Sequence, residues 1–157
     1  MRRREFLSET AWGLGSAWLG SRTLPAMAIA VPGKFSATDV VTLGRTGIQT
    51  TRLACGTGTV GFAGRSNQSA LGIQGLADLL LHGYDQGLRF WDSADAYGTH
   101  AHLAAALKKV AREKMTILSK SWKRDAKALR DDLDRFRKEL GTDYLDILLM
   151  HCLMESD

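Results

Sequence analysis

Residues 88–98 read LRFWDSADAYG, and this stretch decides the fold. Its first half is an apolar and aromatic run of the kind that favours a buried β-strand. Its second half is polar and contains Asp92, Ser93, Asp95 and Tyr97 before Gly98. The stretch therefore predicts a buried strand that delivers polar groups at its carboxyl end.

Two later stretches repeat this design. Residues 116–121 (TILSKS) place Lys120 at the end of an apolar run, and residues 144–152 (YLDILLMHC) place His151 at the end of another. The polar ends follow one another at intervals of about 30 residues, the length of one strand–helix unit. Parallel strands joined by crossover helices present their carboxyl ends at one face. Convergence there is predicted for Asp92, Tyr97, Lys120 and His151.

The charges on these strands need partners. A lone charge on a buried strand is costly to desolvate, so Asp92 and Lys120 are expected to pair with each other. A purely structural ion pair between neighbouring strands would also satisfy this requirement. The presence of Tyr97 and His151 at matching positions is what favours a chemical role.

The same residues carry a resemblance to a known family. Residues 87–98, GLRFWDSADAYG, resemble the aldo-keto reductase signature, in which a strand ending in Asp-Thr-Ala is followed shortly by Tyr-Gly. The resemblance extends from about residue 40 to about residue 152. It implies an α/β fold, the (β/α)8 TIM barrel. Residues 40–157 would supply its N-terminal half, with about the first four βα units preceded by a β-hairpin at residues 40–53.

The resemblance also implies a reaction. Family members reduce aldehyde or ketone carbonyls of small molecules with hydride from NADPH or NADH. Tyr97 would be the general acid, and Lys120 would stabilise its phenolate. Asp92 would hold that ammonium, and His151 would donate a hydrogen bond that orients the carbonyl. Contacts with the NADP or NAD cofactor are implied for Gly56, Thr57 and Asp92.

The chain departs from the family pattern beside the signature. Ser93 stands where Thr is usual, and residues 99–102 (THAH) stand where the family commonly has Ser-Glu. The hydrogen bonding of this loop is therefore expected to differ. His100 and His102 are two residues apart on a predicted helix and do not share a face, which argues against a metal site.

Residues 56–61 (GTGTVG) raise a rival interpretation, because they match the G-x-G-x-x-G fingerprint of a Rossmann dinucleotide site. That motif leads directly into a helix, whereas residues 62–69 (FAGRSNQS) intervene here. No acidic residue ends a second strand about 20 residues further on. The barrel interpretation is favoured, with residues 53–58 as its first strand and the glycine-rich stretch as the following loop.

Three helices are predicted between the strands, because apolar residues align at helical spacing in three segments. These are Ile73, Leu76, Ala77 and Leu80; Leu103, Ala106, Leu107 and Val110; and Leu129, Leu133, Phe136 and Leu140. Gly83 or Gly87 is expected to end the first helix. Thr99 is expected to cap the second, and Asp125 and Gly141 to bound the third.

Length limits the functional claim. The chain has 157 residues, whereas a complete barrel of this kind needs about 250. We expect a partial, inactive chain, with a natural half-barrel that dimerises as the alternative. A non-catalytic member that senses a nucleotide or binds a partner is the alternative for function. The complete set of four residues favours catalysis, because a binding module needs no phenol–ammonium pair.

Residues 1–30 have the pattern of a twin-arginine signal peptide. Arg3-Arg4-Glu5-Phe6-Leu7 precedes a moderately apolar segment with small-x-small cleavage sites at 26–28 and 28–30. The pattern predicts the twin-arginine export machinery as a partner, a periplasmic location and no stable membrane span. An amphipathic N-terminal helix is the alternative. Residues 31–39 have the composition of a linker.

Charge and cysteine content point to no further partner. The net charge of +4 falls to +2 without residues 1–30, which hold four Arg and two Glu, so no nucleic-acid partner is expected. Residues 123–139 mix both signs, as a solvated helix face does. Cys55 and Cys152 do not make a disulfide framework and are expected to be small packed side chains.

Overall fold

The computed structural model describes residues 34–154. The predicted signal peptide and the first part of the predicted linker lie outside the described residues. The described part contains six strands and three α-helices. In chain order they are β1 (Val40–Thr42), β2 (Gln49–Thr51), β3 (Cys55–Gly56), α1 (Gly72–Asp85), β4 (Phe90–Asp92), α2 (His100–Leu107), β5 (Thr116–Ser121), α3 (Ala126–Leu140) and β6 (Ile147–Met150).

Four strands form one parallel sheet in the order β3-β4-β5-β6. The register pairs Gly56 with Asp92, Asp92 with Leu118, and Lys120 with Leu149. A helix lies between each strand of this sheet and the next, so every connection is a crossover that returns the chain to the same end of the sheet. The predicted α/β arrangement, the beginning of a (β/α)8 barrel, is confirmed.

The predicted hairpin precedes this sheet. β1 and β2 pair antiparallel, with Val40 opposite Thr51. Residues 36–39, which have the composition of a linker, form a turn that is bonded to the hairpin. The Asp39 carboxylate accepts from the Ser36 N–H at 2.8 Å, and the Asp39 carbonyl accepts from the Arg52 N–H at 2.9 Å.

The hydrophobic core lies between the parallel sheet and the three helices. Trp91 of β4 and Ile117 of β5 are fully buried at its centre. They pack with residues of all three helices, namely Leu76, Ala77, Leu80, Leu103, Ala106 and Leu140. Truncation of a leucine in such a core to alanine typically costs about 2–5 kcal/mol. The core therefore fixes the strands whose ends carry the polar residues.

Several boundaries differ from the predictions. Ile73 lies in the first turn of α1 and is 53% exposed, so the core face of this helix begins at Leu76. The predicted strand at residues 144–152 is shorter, because Tyr144 leaves the ladder and packs against the Arg112 guanidinium at 3.9 Å. The first sheet strand spans two residues instead of residues 53–58.

The helix ends follow the predicted chemistry in part. The Asp125 side chain caps α3 by accepting from the Ala128 N–H at 2.8 Å, and Gly141 ends it in the left-handed conformation. Thr99 occupies the capping position of α2, but its side chain makes no capping bond. Its hydroxyl instead bonds to the buried hydroxyl groups of Thr57 and Ser93.

The two cysteines differ in environment. Cys55 packs against the core, and burial raises the pKa of its thiol. Cys152 is exposed, in a turn after β6, so the prediction of a packed side chain is wrong for this residue. None of the helices between residues 34 and 154 combines the length and the apolar character that crossing a bilayer requires.

Candidate active site

An ion pair joins the carboxyl ends of the two central strands. Asp92 is the last residue of β4, and Lys120 is the last but one of β5. The Lys120 ammonium donates to Asp92 Oδ1 and, at 2.9 Å, to the Ser93 carbonyl. The Lys120 side chain is 15% exposed and that of Asp92 35%. Two acceptors therefore hold a largely buried positive charge in one place.

Tyr97 lies directly beside this ammonium. It ends a short 3-10 turn, Asp95–Tyr97, that follows β4. Lys120 Nζ is 5.0 Å from the centroid of the Tyr97 ring. Gly98 then turns the chain into α2 with a φ of 63°, and a Cβ at this position would lie 1.9 Å from the Gly64 carbonyl oxygen. Position 98 therefore requires glycine for both conformation and space.

His151 completes the group from the third strand end. Its backbone N–H donates to the Ser121 carbonyl at 2.7 Å, which places it just past β6. Its ring meets the Tyr97 ring edge to face, with centroids 5.6 Å apart. The Trp122 indole stacks on the imidazole, with ring centroids 4.4 Å apart. All four predicted residues are thus brought together, from three neighbouring strands.

The surroundings of His151 favour its neutral form. Burial and the positive charge of Lys120 lower the pKa of the imidazole, with a smaller contribution from Arg124, while Asp92 acts in the opposite direction. Its Nδ1 atom is buried and has no hydrogen-bond partner within residues 34–154. At neutral pH the ring therefore carries one N–H and no charge.

The glycine-rich loop after β3 encloses the Tyr97 ring. A Cβ on Gly58 would lie 2.3 Å from two ring carbons of Tyr97, and a Cβ on Gly61 would lie 2.3 Å from a carbon on the opposite edge. Both distances are far below van der Waals contact, so only glycine allows the backbone to pass so close to the ring. The second and third glycines of the match to a dinucleotide fingerprint therefore have a different physical cause. The loop continues through residues 62–68 before any helical turn begins.

Thr57 is not available to a ligand. Its side chain is fully buried, and its hydroxyl bonds to the Asp92 carbonyl and to the Thr99 hydroxyl, both at 2.9 Å. Its N–H donates to Asp92, and its carbonyl accepts from Ser66. All its polar groups have protein partners, so the structure does not support the predicted cofactor contact at Thr57. The contacts of exposed Gly56 and of Asp92 stay predictions.

The same buried hydroxyls explain why Thr99 does not cap α2. Its Oγ1 also lies 2.7 Å from the Ser93 hydroxyl, which forms a chain of three hydroxyl groups beneath the site. This chain ties the first residue after β3 to the loop after β4. Ser93, which departs from the family pattern, and Thr99 belong to one internal network.

The His100–His102 pair does not form a metal site. His100 is buried, with Nδ1 2.6 Å from Glu139 and Nε2 2.7 Å from Ser119. Both ring nitrogens are therefore committed to protein partners. Between residues 34 and 154, no cluster of three or more His, Cys, Asp or Glu side chains could hold a metal ion.

Sequence reasoning missed Trp122 and the two enclosing glycines. Trp122 follows Lys120 by two residues, and side chains two apart in an extended segment point to the same side. Strand alternation alone could therefore have placed the indole at the site. No local pattern could have identified Gly58 and Gly61, because the ring that they contact comes from a residue more than 30 positions away.

The fold and the site together define a class. A parallel α/β sheet carries its polar groups at the carboxyl ends of successive strands, where barrel enzymes place their active sites. Comparison with known proteins agrees, because the model of a protein family described as "Aldo/keto reductase family" matches residues 52–157. This chain belongs to the aldo/keto reductase family.

Individual relatives match shorter parts. The chain is 43% identical over 67 residues to a methylglyoxal reductase of Salmonella typhimurium, a match covering 41% of this chain and 24% of that protein. It is 31% identical over 83 residues to an NADPH-dependent D-xylose reductase of Meyerozyma guilliermondii, covering 48% and 26%. The match thus spans about a quarter of the length of each curated relative.

Solved structures agree with the fold. A thermostable aldo-keto reductase crystallised with the inhibitor epalrestat superimposes with a TM-score of 0.61 at 30% identity. The match covers 71% of this chain and 42% of that chain. The described fold therefore corresponds to somewhat less than half of that enzyme.

We predict that Gly58→Ala and Gly61→Ala each lower the free energy of unfolding by about 1–3 kcal/mol, because the added carbon overlaps the Tyr97 ring. Urea unfolding measures this. The matched control is Gly75→Ala in α1, where a Cβ meets only Leu71 at 3.4 Å; there we expect a gain of about 0.5–1 kcal/mol. Wild-type stability in both loop variants would contradict the described packing.

We predict that the His151 imidazole titrates below the usual histidine pKa of about 6.5. The pKa is then lower in the folded than in the unfolded protein. The resulting contribution to folding stability is fully present above the unfolded-state pKa and is lost as the pH falls through the folded-state pKa.

We also predict that Lys120→Met raises the pKa of His151, since the substitution removes a positive charge and leaves Asp92 unopposed. NMR titration of the four histidines, with the His151 signal assigned from His151→Gln, measures the pKa of His151 in the wild type and in Lys120→Met. A downward shift in Lys120→Met would refute this account of the site's charges.

Proposed function

We propose that this chain supplies the acid–base machinery of an NAD(P)H-dependent carbonyl reductase, an oxidoreductase that acts on aldehydes or ketones. The observation that carries the proposal is the position of the Lys120 ammonium, fixed by Asp92 and 5.0 Å from the Tyr97 ring centroid. Reductase relatives of the same family support it. A binding protein would have no use for a buried ammonium beside a phenol.

Tyr97 is the proposed general acid. A free phenol has a pKa of about 10 and gives up its proton reluctantly at neutral pH. A positive charge nearby stabilises the phenolate that remains after the proton has moved to the carbonyl oxygen. Lys120 supplies that charge. Asp92 and the Ser93 carbonyl keep the ammonium from turning away into solvent.

His151 has a separate proposed role, to orient the carbonyl. Its pKa is lowered, so the imidazolium is scarce at neutral pH and the ring does not compete with Tyr97 as the proton donor. The neutral ring can still donate its N–H to a carbonyl oxygen, whose developing negative charge that bond stabilises. Trp122, stacked on the imidazole, restricts the orientation of the ring plane.

The residues at the strand ends fit the nicotinamide end of NAD(P)H. Gly56 is exposed and in register with Asp92, and a Cβ there would meet no atom within 4 Å, so space for a flat ring is open beside the carboxylate. Bound NAD(P)H would supply the hydride. NADP is our first choice of cofactor, because one relative is an NADPH-dependent D-xylose reductase.

We predict that Tyr97→Phe lowers kcat by about 10²–10⁴-fold, the usual contribution of a positioned acid, and leaves KM nearly unchanged. The assay is oxidation of NADPH or NADH by purified protein containing this chain, with methylglyoxal and D-xylose as probe substrates. Tyr84→Phe, in the last turn of α1, is the matched control and should keep wild-type activity, because Tyr84 packs on Arg89 and belongs to no part of the proposed site.

Three outcomes separate the alternatives. Activity unchanged in Tyr97→Phe would overturn the assignment of the acid. The reductase proposal applies to a protein in which this chain is part of a complete barrel. Such a wild-type protein that binds NADPH by fluorescence titration but turns over neither probe would favour the nucleotide-sensing alternative. Selective loss in Tyr97→Phe supports the reductase.

We further propose that the protein is exported by the twin-arginine route to the periplasm. What supports this is the sequence of residues 1–30, with Arg3-Arg4-Glu5-Phe6-Leu7 and two small-x-small cleavage sites. Export of a folded protein would suit an enzyme that binds a nucleotide cofactor.

We predict that Arg3→Lys with Arg4→Lys leaves the precursor in the cytoplasm, although the positive charge is conserved, because the pathway reads the arginine pair. Cell fractionation measures the location. In the wild type, N-terminal sequencing should give a mature chain that starts after Ala28 or Ala30. A mature protein that begins at Met1 would contradict export by this route.

A further inference from the structure

We propose that three charged residues of α3, namely Asp132, Arg135 and Glu139, position the catalytic pair from outside the sheet. Arg135 holds the turn that carries Tyr97, while Asp132 and Glu139 hold the strand that carries Lys120. The proposal rests on the reductase function proposed above, because it gives these residues a role only through Tyr97 and Lys120. They are positioning residues and do not touch the reacting atoms.

The first arm runs from Arg135 to the turn of Tyr97. The guanidinium donates from Nη1 to Asp95 Oδ1 and from Nη2 to Asp95 Oδ2, both at 2.9 Å. This is a two-bond fork, which fixes the orientation of the carboxylate as well as its distance. Asp95 is the first residue of the 3-10 turn that ends at Tyr97. Arg135 therefore holds the base of the turn on which the phenol is mounted.

The second arm runs from Glu139 through His100 to the residue before Lys120. Glu139 Oε2 is 2.6 Å from His100 Nδ1, and His100 Nε2 is 2.7 Å from the Ser119 hydroxyl. Ser119 is fully buried on β5. His100 is also the first residue of α2, three positions after Tyr97. One imidazole thus links the lysine strand, the far side of the tyrosine turn and α3.

The third arm runs from Asp132 to the residue after Lys120. The Ser121 hydroxyl donates to Asp132 Oδ2 at 2.5 Å, in a fully buried position of β5. Burial alone would raise the pKa of Asp132, but the hydrogen bonds from Ser121 and Arg135 outweigh it and hold the pKa below the usual value. The carboxylate therefore stays ionised. Lys120 is held through both of its chain neighbours.

Arg135 joins the three arms. Besides Asp95, it donates to Asp132 Oδ1 at 2.9 Å and to Glu139 Oε1 at 2.8 Å. These bonds, those to Asp95 above all, raise the pKa of the guanidinium, so its charge is permanent. Positions 132, 135 and 139 lie on one face of a helix. Asp132, Arg135 and Glu139 therefore form one hydrogen-bonded network on one side of α3, called the bracket below.

Other ion pairs on the same helix show the contrast. Arg137 pairs with Asp134, and Lys127 pairs with Asp131, in each case within α3. Arg137 is as exposed as Arg135, 41% against 42%, so the contrast lies in what the two side chains contact. Such pairs contribute little, and neither reaches another element. The three residues of the bracket differ because each has a partner within three positions of Tyr97 or Lys120.

The experiment compares Arg135→Ala with Arg137→Ala, the same substitution on the same helix. The protein is labelled with 13C in the ring of tyrosine, and its three tyrosines give three signals, assigned with Tyr97→Phe. We expect Arg135→Ala to shift and broaden the Tyr97 signal only. Tyr84 and Tyr144, which pack on Arg89 and Arg112, are internal controls that should not move. Arg137→Ala should leave all three signals unchanged.

Kinetics provide the second readout. In Arg135→Ala we expect kcat to fall by roughly 10²-fold with little change in KM, the result of a misplaced acid in an otherwise intact site. Added guanidinium should restore part of kcat, and Arg135→Lys should be intermediate, because lysine keeps the charge but loses the fork. Arg137→Ala should retain wild-type values with and without guanidinium.

The outcomes keep this proposal distinct from the reductase function. An unmoved Tyr97 signal in Arg135→Ala would overturn the bracket, whatever the kinetics. Equal changes in all three tyrosine signals would overturn it too, since they would indicate general loss of structure. A selective Tyr97 change in a protein without carbonyl reductase activity would keep the bracket and refute the proposed function.

Discussion

The rest of the structure depends on the ion pair between Asp92 and Lys120. Neither charge is tolerable alone at the end of a largely buried strand, so β4 and β5 must be neighbours, parallel and in the register that brings the two side chains together. That register also places Ser93 where its carbonyl accepts from the same ammonium. Once the lysine is fixed, the turn after β4 can place a phenol against it. The third strand pairs Leu149 with Lys120, so the chain needs only to run two residues further to bring in the imidazole of His151.

The sequence predicted those parts of the site that are set by strand burial. An apolar run that ends in a charge has few structural solutions, and three such runs at the spacing of a strand–helix unit indicated the convergence of Asp92, Lys120 and His151. The sequence could not predict what surrounds Tyr97. Gly58 and Gly61 are required by a ring that comes from a distant segment, and helical periodicity reveals which face of α3 is apolar but not what its charged face contacts. Thr99 fits an N-cap by residue type, yet the buried hydroxyls of Thr57 and Ser93 compete successfully for its side chain.

The family match and the site occupy the same part of the chain. All four proposed functional residues lie within residues 52–157, although the matches span only about a quarter of each curated relative. Part of a barrel can hold these four residues because each strand contributes the residues at its own carboxyl end to one shared face of the barrel. The proposed acid and the three residues proposed to act with it are here gathered on three adjacent strands. Their mutual geometry is therefore set by one continuous sheet.

The enclosure of Tyr97 by the loop after β3 has a consequence for motion. Backbone passes both edges of the ring at a distance that leaves no room even for a methyl group. Neither the loop nor the phenol can swing independently, so any excursion of one drags the other along. This loop is therefore not an independent flap. For the acid proposed above, any displacement of the loop would also displace the phenol that it encloses.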